Sequence, residues 1–367
     1  MDVIRKETTH DLPSLHFDLI HKILLWLPAT SLVRLKCVSK SWYHVINSPD
    51  FIKLNLSHSL KSNSNKSLIL YAHNSLYSLY FHDLSCRVTE LPYHQVMANF
   101  ASPQQHDFKV TGSCNGLICF RFRDNNLALY NPATRACKVL PQLNFKRLSS
   151  EAEFFYDCMS DDYKVLRFAE LRNPRETFLY SLKINAWERI LGPPWDWHWK
   201  SVKFPGILVN NTLHWMDREH KDIKCFDLST RRYYVLLLPK KVSPTYFPLL
   251  AVLKGELFVV TYYFDIWVMK EYGVEESWTR LFRCPSTQWN DIYKSASSGC
   301  LSWGCELSIA CSKDGCKILV GCLRGPRNFI CCDLQSQEAS EVEIPSLLPK
   351  RFSAILPWVE SLIPLSN

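Results

Sequence analysis

Glycine, methionine and long apolar runs are all scarce in this chain, and each scarcity removes a class of function. Its 367 residues include 11 Gly and 5 Met, which argues against a glycine-rich phosphate loop and against a methionine-lined groove. No run approaches the ~18 apolar residues of a membrane-spanning helix; the densest stretch, Ile20 to Leu27, is interrupted by His21 and Lys22. No membrane span is expected. Basic residues exceed acidic ones by 43 to 35, a net charge of +8 with no basic block, so nucleic acid is not an expected partner.

Catalytic signatures are missing as well. There is no Gly-x-Ser-x-Gly elbow. The carboxylate pairs Asp161-Asp162 and Glu275-Glu276 are adjacent residues, which point to opposite faces of a strand and so do not share acid–base work. His214-Trp215 sits in an apolar segment and reads as a structural histidine. Seven of the 15 cysteines crowd the end, at Cys300, Cys305, Cys311, Cys316, Cys322, Cys331 and Cys332. None forms a Cys-x-x-Cys pair, and no histidine follows His220 to complete a mixed site. They are expected to be reduced core thiols, with no metal and no cofactor. The opening Met1-Asp2-Val3-Ile4-Arg5 has no apolar signal core, and the cysteine count is odd. Both point to the cytoplasm or nucleus.

Two regions of different character make up what is present. Around residues 17–27 the apolar side chains Leu19, Ile20, Ile23, Leu24, Trp26 and Leu27 fall within an arc of ~180° at 100° per residue. Pro28 closes this helix. Thr30 or Ser31 would cap a second helix through Leu32, Val33, Leu35 and Val38, and a third would carry Trp42, Val45 and Ile46 to Asn47-Ser48-Pro49. Three short helices bury little surface alone, and the arc is wider than the ~100° stripe that one core requires. The module therefore either docks on a partner or caps the following domain. Residues 56–66, rich in Ser and Asn, read as a linker.

Beyond the linker the pattern becomes short, aromatic-rich strands that repeat. Tyr80, Tyr130, Tyr180 and Phe226 mark equivalent strand–turn–strand units, and further copies occur at Ile266 to Lys270 and Ile330 to Leu334. A period near ~50 residues suits a four-stranded propeller blade, and six copies suggest about six blades; a pair of β-sandwiches is the competing fold. The fold class read from the chain is thus multidomain, α plus all-β.

These segments resemble two linked families. Asp18-Leu19, Ile23-Leu24, Leu27-Pro28, Ser31-Leu32, Arg34, Lys36-Cys37-Val38, Ser39-Lys40 and Trp42 are similar to an F-box. Gly112 to Leu117, Tyr130-Asn131-Pro132-Ala133-Thr134-Arg135, Asn211 to Trp215 and Ile266 to Trp278 resemble the F-box-associated domain of the large plant F-box family. The resemblance implies an F-box over 12–55 and a kelch-like, propeller-type target-binding domain over 67–360. It implies a non-catalytic substrate receptor of a cullin-type ubiquitin ligase, docked on a Skp-family adaptor through Leu15, Leu19, Ile23, Leu24, Leu27, Pro28, Leu32, Val33 and Trp42, some facing the adaptor and some holding the helices together. The family's opening Leu-Pro is here Leu15-His16, with Leu12-Pro13 just upstream. A scaffold that docks no ligase and a propeller enzyme are the alternatives. For the target protein, the candidate residues are Trp195, Trp197 and Trp199, whose alternation places them on one face of an extended segment; the same alternation would equally suit packing of one blade onto the next.

Overall fold

The computed structural model describes residues 17–62, 66–72, 75–82, 85–91, 108–143, 145, 148–169, 176–194, 206–217, 222–242, 248–261, 265–285, 307–311, 316–322, 329–342 and 354–365. Leu15, His16, Trp195, Trp197 and Trp199 lie outside them.

Four helices come first: α1 (Phe17–Leu25), α2 (Ala29–Leu35), α3 (Lys40–Asn47) and α4 (Pro49–Ser62). Pro28 ends α1 and itself stands at the N-cap of α2 without a side-chain hydrogen bond. Thr30, expected as a cap, lies inside α2 and instead donates its amide (3.3 Å) and hydroxyl (3.1 Å) to Glu360. Ser39 caps α3 by accepting from Trp42 N at 3.1 Å, and Ser48 caps α4 by accepting from Phe51 N at 3.3 Å, with Pro49 at the first helical position, where its missing N–H costs nothing.

The expected linker over 56–66 is corrected by α4, which runs on to Ser62. Its core-facing side is partly polar: Asn55 and Ser59 are buried beside Phe51 and Ile52, and Asn55 Nδ2 donates to Leu25 O at 3.3 Å. A helix that buries Asn and Ser carries little apolar periodicity, so its sequence looks like loop.

Six four-stranded antiparallel sheets follow, the blades of a propeller. Blade two spans 108–139, blade three 148–191, blade four 207–236, blade five 249–282 and blade six 307–341. Blade one combines 66–91 with the last strand of the chain, Ala354–Val359, which pairs with Lys66–Ala72 as the innermost strand. The two ends of the propeller sequence thus close the ring. Every repeat marker sits on the third strand of its blade, Tyr80 in blade one through Ile330 to Asp333 in blade six.

The recurrent turns have a local cause. After the third strand, the Asn131 and Asp227 side-chain oxygens accept from amides two and three residues ahead, as Asp333 does, and the residue before the fourth strand takes positive φ at Arg135, Asn185, Arg231 and Gln337. First-to-second-strand hairpins place two consecutive residues at positive φ, Asn115-Gly116, Asn210-Asn211 and Lys254-Gly255, the geometry that suits strand twist.

Each blade is apolar on both faces because each face packs on a different neighbour. Alternate residues therefore enter alternate seams. In blade six Cys332 packs with Val268 and Phe282 of blade five, whereas Cys331 packs with Leu68 and Leu79 of blade one. In blade two Phe120 and Tyr130 face blade one, and Cys119 and Leu129 face blade three. The adjacent cysteines are packing residues on opposite faces of one strand. Burial raises the pKa of both thiols.

The seam between blades two and three is special, because the helices share its core. Leu24, Ala29, Leu32, Ile46, Phe51 and Ile52 form one buried cluster with Leu129, Val165 and the terminal Leu362, Ile363 and Leu365. Polar ties flank it: Thr30 to Glu360, and Lys53 Nζ to Asp161 at 2.5 Å, where Asp161 also accepts from the Tyr156 hydroxyl. The module sits over the seam of blades two and three, at the rim that carries the first-to-second-strand hairpins.

Candidate functional site

The wide apolar arc of the first helix resolves into two stripes. Ile20, Leu24 and Leu27 point inward: Leu24 is buried, and Ile20 and Leu27 pack against the shared core. Leu19, Ile23 and Trp26, spaced i, i+4 and i+7, point outward at 52%, 52% and 70% exposure. The stripes lie ~100° apart on the helical wheel, so one short segment presents a face to its own molecule and another to the surroundings. Trp26 is held against His58 of α4 in an edge-on contact, ring centroids 4.3 Å apart, which fixes its side chain without hiding it.

Two further apolar side chains are exposed, Val38 between α2 and α3 and Tyr43 within α3. Asn47 steadies this region: its amide donates to Tyr43 O at 2.9 Å and its oxygen accepts from Lys36 Nζ at 2.7 Å. Residues 17–62 carry six Lys or Arg against two Asp, so these apolar surfaces sit in a positive field suited to an acidic partner.

The docking residues expected from the sequence divide accordingly. Leu19 and Ile23 are outward. Leu27, Pro28, Val33 and Trp42 are half-buried, at the edge between core and surface. Leu24 and Leu32, 1% and 0% exposed, are core residues and cannot touch a partner while the module is folded; they hold the helices on the propeller. Trp26, Val38 and Tyr43 join the exposed set although the expected docking residues did not include them. The signal for Trp26 was its i+7 spacing from Leu19.

On the propeller, two buried polar groups, Glu153 and the His214 singled out in the sequence, are structural. Blade three contributes Glu153, whose carboxylate accepts from Gly206 N at 2.6 Å and from Trp215 Nε1 at 3.0 Å, locking blade three to blade four. His214, on the opposite face, has Nδ1 3.3 Å from Ile207 O and Nε2 2.7 Å from the Tyr272 hydroxyl, which is itself 2.6 Å from that of Tyr234. A carbonyl only accepts, so Nδ1 carries the proton and Nε2 accepts from Tyr272. Burial pulls the His214 pKa down to about 4, so it is neutral at physiological pH and ties blade five to blade four. Among the described residues, no group of three His, Cys, Asp or Glu side chains is placed to hold a metal ion.

The segment holding Trp195, Trp197 and Trp199 joins Leu191, at the end of blade three, to Ile207 of blade four. In blade three, Leu191 pairs with Glu176, at the end opposite the Asp157–Asp162 hairpin. That hairpin faces the helices through Asp161, so the strand ending at Leu191 finishes at the rim away from them.

Comparison with known proteins agrees with this architecture. Residues 12–54 match the F-box domain family and residues 67–363 the "F-box associated beta propeller domain" family. Among relatives in Arabidopsis thaliana, "F-box protein CPR1" is 29% identical over 94% of this chain and 88% of its own length. "F-box/kelch-repeat protein At3g23880" is 30% identical over 76% of this chain and 82% of its own. Among solved structures, a chain of the nidogen/laminin complex superposes with a TM-score of 0.50 at 8% identity, covering 81% of this chain and 99% of that one, a likeness of fold alone. With both regions matched in order on a helical module and a six-bladed ring, this chain belongs to the plant F-box proteins that carry an F-box-associated β-propeller.

Proposed function

We propose that this chain is the substrate-recognition subunit of a Skp-cullin-F-box ubiquitin ligase, the role that F-box proteins generally fill. The observation that carries the reading is the outward stripe Leu19, Ile23 and Trp26, left uncovered by a module whose other stripe is sequestered in the propeller seam. Surface of that kind on a helix already anchored to its own domain is suited to a second polypeptide. The basic surroundings favour an acidic adaptor.

The mechanism is proximity. The chain makes and breaks no bond; it holds a protein target near a ubiquitin-charged enzyme, so that transfer proceeds as if within one molecule. The shared core and the Thr30–Glu360 and Lys53–Asp161 ties support a fixed spacing between adaptor and target. The target is expected on the rim away from the helices, and Trp195, Trp197 and Trp199 remain candidates for contacting it. Action in the cytoplasm or nucleus belongs to the same reading. The test is purification of the tagged chain after proteasome inhibition. Adaptor and cullin should co-purify with the intact chain and be absent when residues 12–54 are deleted, while target candidates persist. Adaptor without cullin would favour a scaffold outside any ligase.

A further inference from the structure

In blades two, three, four and six the third strand ends on a residue whose side-chain oxygen accepts from the turn ahead: Asn131, Ser181, Asp227 and Asp333. An oxygen is enough to make that turn, as serine and aspartate show. Blade two uses an amide instead, and Asn131 is 0% exposed where Ser181, Asp227 and Asp333 are only half-buried. The nitrogen of Asn131 has no part in the turn. Burying it without acceptors would cost stability.

Its acceptors lie in the C-terminal tail. Asn131 Nδ2 donates to Ser361 O at 3.1 Å and to Ile363 O at 2.9 Å, while Oδ1 accepts from Ala133 N at 3.0 Å and Thr134 N at 3.3 Å. Residues 360–365 follow the innermost strand of blade one but belong to no strand themselves. Their buried carbonyls therefore need partners other than a ladder. Blade two grips the same stretch nearby: Ser113 Oγ donates to Pro357 O at 2.7 Å and Trp358 Nε1 to Gly116 O at 3.1 Å. Leu362, Ile363 and Leu365 share the core of Leu24, Leu32 and Phe51 from the helices, and Glu360 accepts from Thr30. One buried amide thus ties the ring to the segment on which the helices rest.

We propose that Asn131 is a positioning residue: its carboxamide latches the C-terminal tail to blade two and, through the tail, fixes the adaptor-docking helices relative to the ring that holds the target. The latch follows from the hydrogen bonds; its consequence for ubiquitin transfer rests on the receptor reading above. Proximity accelerates transfer only while the spacing between adaptor and target is held. Aspartate or serine, adequate for the turn, cannot replace the latch. An ionised carboxylate has no proton to donate, and a serine hydroxyl has a single one on a shorter side chain.

The experiment uses the purified full-length chain with Asn131→Asp and Asn131→Ser, each an oxygen that the chain already uses at this turn. Hydrogen exchange through α1 to α4 should quicken at least about ten-fold, the scale of one buried carbonyl left without its donor. The fourth strand of blade two, Ala136–Val139, should stay as protected as in wild type, because the turn before it is still made. A residue that only formed its own turn would leave the helices unchanged in both variants, and that result would overturn the proposal; so would equal loosening of the helices and of that strand. Asn131→Ser keeps the test decisive if a carboxylate facing two carbonyls prevents folding. Calorimetry with purified adaptor should give wild-type affinity for the variants, since Leu19, Ile23 and Trp26 are untouched. Small-angle scattering of the chain–adaptor complex should show a larger radius of gyration for the variants, and a profile identical to wild type would count against positioning. A wild-type chain that binds no adaptor would sink the receptor reading alone, because the exchange result still judges the latch.

Discussion

Replacing Leu19, Ile23 and Trp26 together by alanine separates docking from folding. A fully buried Leu or Ile contributes roughly 1.5–3 kcal/mol, and about half of each side chain is still available to a partner here, so about 1 kcal/mol apiece is at stake. A tryptophan buries roughly 150–250 Å²; with 70% of Trp26 exposed, about 140 Å² remains, or about 3.5 kcal/mol at ~25 cal/mol per Å². Association costs and non-additivity take their share, which leaves a loss of at least about 100-fold in adaptor affinity, or roughly 3 kcal/mol. Titration calorimetry with purified adaptor measures it, and a melting curve of the same protein should show little change. Leu24→Ala is the internal contrast: its side chain is 1% exposed, so it should cost about 2–5 kcal/mol of stability and affect docking only through the fold. Triple-alanine protein that binds adaptor within about three-fold of wild type, under 1 kcal/mol, would refute the two-stripe argument.

Other outcomes follow from the packing. His214 titrates near 6.5 unfolded and about 4 folded, so between those values the unfolded chain holds the extra proton and stability falls as pH falls, by up to about 3 kcal/mol; chemical denaturation from pH 7 to 4 should show this slope, and His214→Gln should flatten it. Gly116→Ala should be far costlier than Gly255→Ala: both glycines have positive φ, but a Cβ at Gly116 would lie 2.3 Å from Ser361 Oγ and 2.7 Å from Val359 O, whereas nothing lies within 4 Å at Gly255. Thermal denaturation should place the Gly255 variant about 1 kcal/mol below wild type and the Gly116 variant well beneath that. Deleting residues 360–367 removes Leu362, Ile363 and Leu365 from the shared core and Glu360 from Thr30. Hydrogen exchange should then rise through α1 to α4 more than through blades four and five; equal protection of the helices with and without the tail would show that the tail does not hold them.

The legible parts of this chain were the local ones. The hairpins at Asn115-Gly116 and the Asn131 and Asp227 turns depend on residues within a few positions of each other, so the repeat and the blade number could be read from spacing. Aromatic-rich apolar runs repeated at a spacing of ~50 residues made the strands visible, and the i, i+4, i+7 pattern made the first helix visible. The α4 helix was not legible, because it buries Asn55 and Ser59 where an apolar periodicity would otherwise appear. Leu24 and Leu32 were read with the docking residues because periodicity gives a face but not what covers it.

The sequence by itself determined the kinds of element, their order and the family they belong to, since propensity, turn chemistry and motif spacing act over short stretches of chain. Tertiary structure alone decided two things: which stripe of the first helix is sequestered, and that the last strand closes the first blade. Each depends on which strand lies beside which, and that is fixed only when the ring closes and residues far apart in sequence compete for the same buried space.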